Sequence, residues 1–186
     1  MDCKVQLYVY LYSYIILYIG VNFQSISIKS LLFNNVVYYG KIKVMERLII
    51  RNEKETREFG LKLAEQLKPG DVVALVGDLG TGKTALSKYI AEGLGVKQMI
   101  TSPTFTIVQE YHDGRLPLYH FDVYRVNDVE DMYEIGCEEY FYGKGVCIVE
   151  WADLIEEVLP EELIYISIQY GENEGERIYD IKGMEE

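Results

Sequence analysis

The chain is poor in cysteine, proline and positive charge. Its three cysteines, Cys3, Cys137 and Cys147, are too few and too scattered for a disulfide framework or a CxxC metal site, so we expect small buried side chains in a reducing compartment, the cytoplasm. With only four prolines and 49% hydrophobic residues, the 186 residues exclude a disordered tail or a fibre and suit one domain. Lys and Arg number 18 against 30 Asp and Glu, which argues against a broad basic face that grips nucleic acid. Contact with RNA or DNA is therefore expected to go through a partner.

Residues 1–44 differ in composition from the rest of the chain. They carry a net charge of +3 against −15 for residues 45–186, and they hold seven of the 17 tyrosines. A transmembrane helix needs about 20 mostly apolar residues, and the tyrosine-rich apolar run within residues 1–44 is shorter than that. A secretory signal would need a more basic start and a cleavage site.

We favour a third interpretation of residues 1–44, in which AT-rich non-coding DNA is translated and Met45 is the natural start. Residues 1–44 are then a non-native or disordered extension, residues 45–186 are the domain, and no membrane association is expected.

From Met45 onward the pattern predicts strands that alternate with helices, and hence an α/β domain with a mixed sheet. Asn52 and Glu55 have the spacing of a capping box at a helix start. The run at 71–76 has the β-branched, apolar character of a strand buried on both faces of a parallel sheet. Helices are further predicted over 84–94, 127–136 and 152–159, and strands over 104–111, 116–124, 146–149, 163–170 and 177–182, the last two as a hairpin.

The segment GDLGTGKT at 77–84 matches G-x-x-x-x-G-K-[ST] and lies between a predicted buried strand and a predicted helix. In such a P-loop, glycines let the backbone curl so that successive amides cradle phosphate oxygens at the positive end of the helix dipole. Lys83 is expected to reach the β- and γ-phosphates, and the Thr84 hydroxyl is placed to bind Mg²⁺.

Two carboxylates follow apolar runs, Asp122 after YHF and Glu150 after VCIV. Because parallel strands end at the same edge of a sheet, both side chains are candidates to converge on Mg²⁺ or on the attacking water. Each is alternatively a solvated acid at a strand end. His120 is expected to be a packed or hydrogen-bonded histidine, and Trp151 a packing residue beside the site.

Five segments of the chain follow one another in a distinctive order, GDLGTGKT at 77–84, TSPTFTIVQEY at 101–111, YHFDVYR at 119–125, EIGCEEYF at 134–141 and VEW at 149–151. In the order and spacing of these segments the chain resembles the TsaE family, bacterial P-loop ATPases of the pathway that makes N6-threonylcarbamoyladenosine in tRNA. The resemblance covers about residues 48–182 and leaves residues 1–44 without a counterpart. It implies a P-loop NTPase fold with a mixed, mainly parallel central sheet flanked by helices and a C-terminal β-hairpin.

The resemblance also implies roles for individual residues. ATP is held by Lys83 and the rest of the phosphate loop, Mg²⁺ by Thr84 and Glu150, and the attacking water is activated or positioned by Asp122. Lys83, Asp122 and Glu150 are therefore the expected catalytic residues. Ser102 to Thr104 corresponds to a switch-like segment near the γ-phosphate. The expected nucleotide contacts are Glu53 on the base side, then Asp78, Leu79, Gly80, Thr81, Gly82, Lys83 and Thr84.

By the same resemblance, the protein hydrolyses ATP while docked on the TsaD–TsaB pair, and meets tRNA only through that complex. A P-loop small-molecule kinase is the alternative function, although the acidic part of the chain lacks the clustered arginines that commonly cover a transferred phosphoryl group. A GTP-dependent switch is disfavoured because no N-K-x-D motif is present. A membrane-anchored binding protein is a third class, resting wholly on residues 1–44.

Overall fold

The fold is described by a computed structural model that covers residues 46–126 and 128–184. The interpretation of residues 1–44 as an extension lies outside the described residues, as does Cys3. The strands are β1 (Glu46–Ile50), β2 (Val72–Val76), β3 (Val108–Tyr111), β4 (Leu118–Asp122), β5 (Val146–Glu150), β6 (Ile164–Tyr170) and β7 (Arg177–Lys182). The helices are α1 (Glu53–Gln66), α2 (Lys83–Gly93), α3 (Val129–Glu134) and α4 (Cys137–Phe141), with a 3₁₀ helix at Ala152–Val158.

All seven strands form one sheet in the order β1-β7-β6-β2-β5-β4-β3. The four central strands, β6, β2, β5 and β4, run parallel to one another. The outer strands pair antiparallel, and β6 and β7 form the predicted C-terminal hairpin. The predicted α/β class with a mixed sheet is confirmed, and the parallel centre brings the carboxyl ends of β2, β4 and β5 to one edge.

Alternate residues of β2 point to opposite faces of the sheet, as strand geometry requires. Val73 and Leu75 pack into an apolar cluster with side chains of α1 and α2, such as Leu63 and Leu86. Val72 and Ala74 belong to a second cluster on the other face, together with residues from β4, α4 and the 3₁₀ helix. The strand is thus buried on both faces, which accounts for its continuous apolar sequence.

The start of α1 is capped as its sequence predicts. The Asn52 side chain accepts a hydrogen bond from the Glu55 amide at 3.1 Å, and the Glu55 carboxylate accepts one from the Arg51 amide at 2.8 Å. Two otherwise unpaired donors are therefore satisfied before the helix enters its apolar stretch. The capping prediction is confirmed, with the second bond shifted by one residue from the ideal box.

Three predicted elements differ from those observed. The strand expected to begin at 104 begins at Val108, because the amides of Thr106 and Ile107 both bond the Pro103 carbonyl in a tight turn. The acidic helix expected over 127–136 ends at Glu134, and a second short helix follows Gly136, whose φ of 72° is left-handed. The segment predicted as a helix over 152–159 is a 3₁₀ helix.

The two cysteines within the described part of the chain, Cys137 and Cys147, are free and buried, as expected. Burial raises the pKa of the Cys147 thiol to about 12. No helix among the described residues is long and apolar enough to cross a bilayer.

Candidate nucleotide-binding site

The glycine-rich segment at 77–84 leads from β2 into the first turn of α2 and takes a shape that needs glycine. Gly77 has a φ of 146°, and a Cβ there would lie 2.2 Å from the Ile168 carbonyl oxygen of β6. Gly82, the residue before α2, has a φ of 107° and contributes no side-chain cap to the helix. The first amides of α2 are therefore left to an external acceptor, and the helix dipole favours an anion at this position.

Lys83, the first residue of α2, is a buried cation. Its ammonium donates to the carbonyls of Gly77 at 2.5 Å and Asp78 at 3.0 Å, and lies 3.6 Å from the centroid of the Trp151 ring. Burial lowers the pKa of Lys83, and the nearby Glu150 and Asp122 carboxylates offset part of that effect. A desolvated ammonium of this kind gains from pairing with phosphate oxygens.

Glu150, at the end of β5, is the centre of a buried polar network. Its Oε2 accepts from the Thr84 hydroxyl at 2.7 Å, and its Oε1 lies 2.9 Å from the Ser87 hydroxyl and 2.8 Å from Nε2 of His120. Ser87, His120 and Glu150 are all at most 2% exposed. The network therefore places a carboxylate oxygen and a hydroxyl oxygen side by side beneath the phosphate loop.

Asp122 lies beside Glu150, because β4 and β5 are parallel and the two residues are partners in register. Its Oδ2 accepts from the hydroxyls of Ser102 and Thr104, and its Oδ1 accepts from the Tyr124 amide at 3.1 Å. These bonds hold the carboxylate in one orientation and tie it to the segment that resembles a switch.

A cavity of about 390 Å³ opens above these groups. It brings together seven of the predicted site residues, namely Leu79, Gly80, Gly82, Lys83, Thr84, Asp122 and Glu150. Its remaining lining comes from Ala85, Ser102, Thr104, Tyr124, Arg125 and Trp151. Residues of the glycine-rich loop, a cation and two carboxylates thus line one space of nucleotide-site size.

Three predicted residues are not part of that lining. Thr81 is buried and its hydroxyl donates to the Asp78 carbonyl at 2.9 Å. The Asp78 carbonyl also accepts from Lys83, so the residue acts here through its backbone. Glu53, at the start of α1, accepts a hydrogen bond from the Tyr89 hydroxyl at 2.7 Å.

Three residues at the site were not predicted from the sequence. Ser87 contacts Glu150, and the hairpin residues Tyr170 and Arg177 contact the loop. Ser87 lies one helical turn after Thr84, so its position on the same face of α2 was available as a signal. Tyr170 and Arg177 carried no local signal, because they contact residues about 90 positions earlier in the chain.

The Thr84 hydroxyl and the Glu150 carboxylate are suited to bind Mg²⁺ in the manner of P-loop proteins. Hydroxyl and carboxylate oxygens are hard ligands, and Mg²⁺ commonly takes few ligands from the protein, with water and substrate phosphates supplying the rest. Within residues 46–126 and 128–184, no group of three or more His, Cys, Asp or Glu side chains could hold a metal ion. A cation here would therefore depend on Thr84 and Glu150 together with the nucleotide.

Comparison with known proteins identifies the family of the chain. A family model described as "Threonylcarbamoyl adenosine biosynthesis protein TsaE" matches residues 50–179. The chain is 51% identical over 133 residues to the "tRNA threonylcarbamoyladenosine biosynthesis protein TsaE" of Bacillus subtilis, covering 71% of this chain and 83% of the relative. The protein of the same name from Treponema pallidum is 45% identical over 123 residues, covering 66% and 90%.

A solved structure shows the same architecture. The crystal structure of Bacillus subtilis YdiB matches with a TM-score of 0.66 and 42% sequence identity, covering 78% of this chain and 90% of that one. Residues 50–179, which the family model matches, contain the phosphate loop, both carboxylates and most of the sheet. The chain belongs to the TsaE family.

Proposed function

We propose that this protein is a Mg²⁺-dependent ATPase required for threonylcarbamoylation of tRNA at the adenosine beside the anticodon. The observation that carries the proposal is the convergence of Lys83, Thr84, Asp122 and Glu150 on one cavity at the carboxyl ends of parallel strands. The relatives' names, "tRNA threonylcarbamoyladenosine biosynthesis protein TsaE", support the assignment of the protein to this pathway.

Each residue has a distinct task in this proposal. The backbone amides of the phosphate loop and the Lys83 ammonium bind the phosphates of ATP. Thr84 and Glu150 would bind Mg²⁺, which supplies charge neutralisation at the phosphate oxygens when bound. Asp122 orients the attacking water, since its carboxylate is already held by Ser102, Thr104 and the Tyr124 amide.

The proposed partner is the TsaD–TsaB pair, in the cytoplasm, with tRNA reached only through that complex. A net charge of −12 supports tRNA contact through the partner complex, because the chain has few cations with which to displace the counterions of RNA. Glu53 is proposed as a contact on the base side of the nucleotide, carried only by the family resemblance.

The test is ATP hydrolysis by the full chain, alone and with the TsaD–TsaB pair, with and without Mg²⁺. We expect weak activity alone, stimulation by the pair, and loss of activity in Lys83→Ala. Lys88→Ala is the matched control, since Lys88 is an exposed lysine of the same helix. Phosphorylation of a small acceptor without any effect of the pair would instead support the kinase alternative.

A further inference from the structure

The end of the C-terminal hairpin touches the outer side of the phosphate loop. The Tyr170 hydroxyl donates to the Leu79 carbonyl at 2.8 Å, and Nε of Arg177 donates to the Thr81 carbonyl at 2.9 Å. A second guanidinium nitrogen of Arg177 lies 3.5 Å from the Gly80 carbonyl. Three successive carbonyls at the tip of the loop are thus met by two side chains.

These two side chains form one unit. Tyr170 and Arg177 are the last paired residues of β6 and β7 before the turn, so they share a face of the hairpin. The Arg177 guanidinium lies 4.6 Å from the centroid of the Tyr170 ring, and it also donates to the Glu176 carbonyl at 2.8 Å. The guanidinium is therefore held in place before it meets the loop.

The hairpin reaches the loop because β6 extends beyond the end of β2. Ser167 is the register partner of Val76, the last residue of β2, and Tyr170 lies three residues further along β6. At about 3.3 Å per residue, Tyr170 is displaced by roughly 10 Å past the end of β2, alongside the loop tip.

The hydrogen bonds from the hairpin to the loop carbonyls also determine the direction in which the loop amides point. In a planar trans peptide, the carbonyl of one residue and the amide of the next point in opposite directions. Carbonyls of Leu79 and Thr81 that face the hairpin therefore turn the amides of Gly80 and Gly82 away from it. Both glycines line the cavity, which is the side where phosphate oxygens would lie.

Glycines also make the loop easy to rearrange, because residues without a Cβ have many accessible backbone conformations. A flipped peptide at the tip would present a carbonyl oxygen to the phosphates and repel them. Hydrogen bonds to successive carbonyls oppose such flips and reduce the ordering cost of binding.

We propose that Tyr170 and Arg177 are positioning residues that hold the phosphate loop with its amides directed at the nucleotide phosphates. This inference rests on the proposed nucleotide site. It assigns the C-terminal hairpin a part in ligand affinity, although the hairpin contributes no residue to the cavity lining.

The test compares Tyr170→Phe and Arg177→Lys with the unchanged full chain. Tyr170→Phe removes one hydroxyl from a half-exposed side chain, and Arg177→Lys keeps the charge but loses the planar fork. The readouts are the Kd for ATP, the Kd for inorganic tripolyphosphate, and the melting temperature without ligand. Tyr142→Phe is the control, since Tyr142 is a 70% exposed tyrosine far along the chain from the hairpin.

We expect Kd to rise about 3- to 10-fold for Tyr170→Phe, and more for Arg177→Lys, equally for ATP and tripolyphosphate. The control is expected to match the unchanged chain. Variants that melt at a lower temperature but bind both ligands with unchanged Kd would refute positioning and leave only a structural role. Failure of the unchanged chain to bind ATP would overturn the proposed function and, with it, this inference.

Discussion

The hydrogen bond between His120 and Glu150 allows a quantitative test of the buried network. His120 is fully buried, its Nε2 lies 2.8 Å from the Glu150 carboxylate, and its Nδ1 has no hydrogen-bond partner within the described residues. Replacing Glu150 by Ala therefore leaves a buried ring with neither nitrogen bonded. Ser87 is better protected, because its hydroxyl also lies 3.0 Å from the Lys83 carbonyl.

A buried hydrogen bond to a charged group contributes about 1.5–3 kcal/mol, so we expect a coupling energy of about 2 kcal/mol between the two side chains. The perturbations are Glu150→Ala, His120→Leu and the double variant. In the His120→Leu background, truncating Glu150 should destabilise the protein less, because no imidazole donor is left unpaired.

The assay is urea unfolding followed by circular dichroism, without nucleotide or Mg²⁺, so that ligand binding does not enter the cycle. The free energies of unfolding can be compared if the unchanged chain, the two single variants and the double variant have similar m-values. Additivity of the two single changes within about 0.5 kcal/mol would show that the pair is not coupled and refute the reasoning.

Three further results are expected. Gly77→Ala should destabilise the protein by more than about 1 kcal/mol and weaken ATP binding. The φ of Gly77 is 146°, and a Cβ at this position would clash with the Ile168 carbonyl. An unchanged midpoint of urea unfolding would contradict this expectation. Because burial lowers the pKa of Lys83 from its usual 10.5, the unfolded chain binds more protons between the two pKa values, and stability without ligand should rise with pH across that window. The rise in unfolding free energy with pH should be smaller in Lys83→Met. Equal pH dependence in the two proteins would contradict the interpretation of Lys83 as a desolvated ammonium. With a pKa of about 12, Cys147 should resist alkylation in the native protein at about pH 8 and react once urea unfolds it, as peptide mass spectrometry would show.

Local signals in the sequence predicted the parts of this protein that depend on neighbours in the chain. The cap of α1 uses residues three and four positions apart, and the phosphate loop uses one continuous segment between a strand and a helix. The apolar runs before Asp122 and Glu150 correctly marked buried strands that end in carboxylates. The same signals misplaced the start of β3, since the turn after Pro103 depends on backbone bonds that composition does not reveal.

Only the tertiary structure decided which side chains meet. Asp122 lies beside Glu150 because β4 and β5 pair in one particular register, and a slip of one residue would turn either carboxylate to the opposite face. The contact of His120 with Glu150 spans 30 residues, and that of Arg177 with the Thr81 carbonyl spans 96. Periodicity and propensity report on contacts within a few residues, whereas these bonds exist because packing of the sheet brings distant segments to one edge.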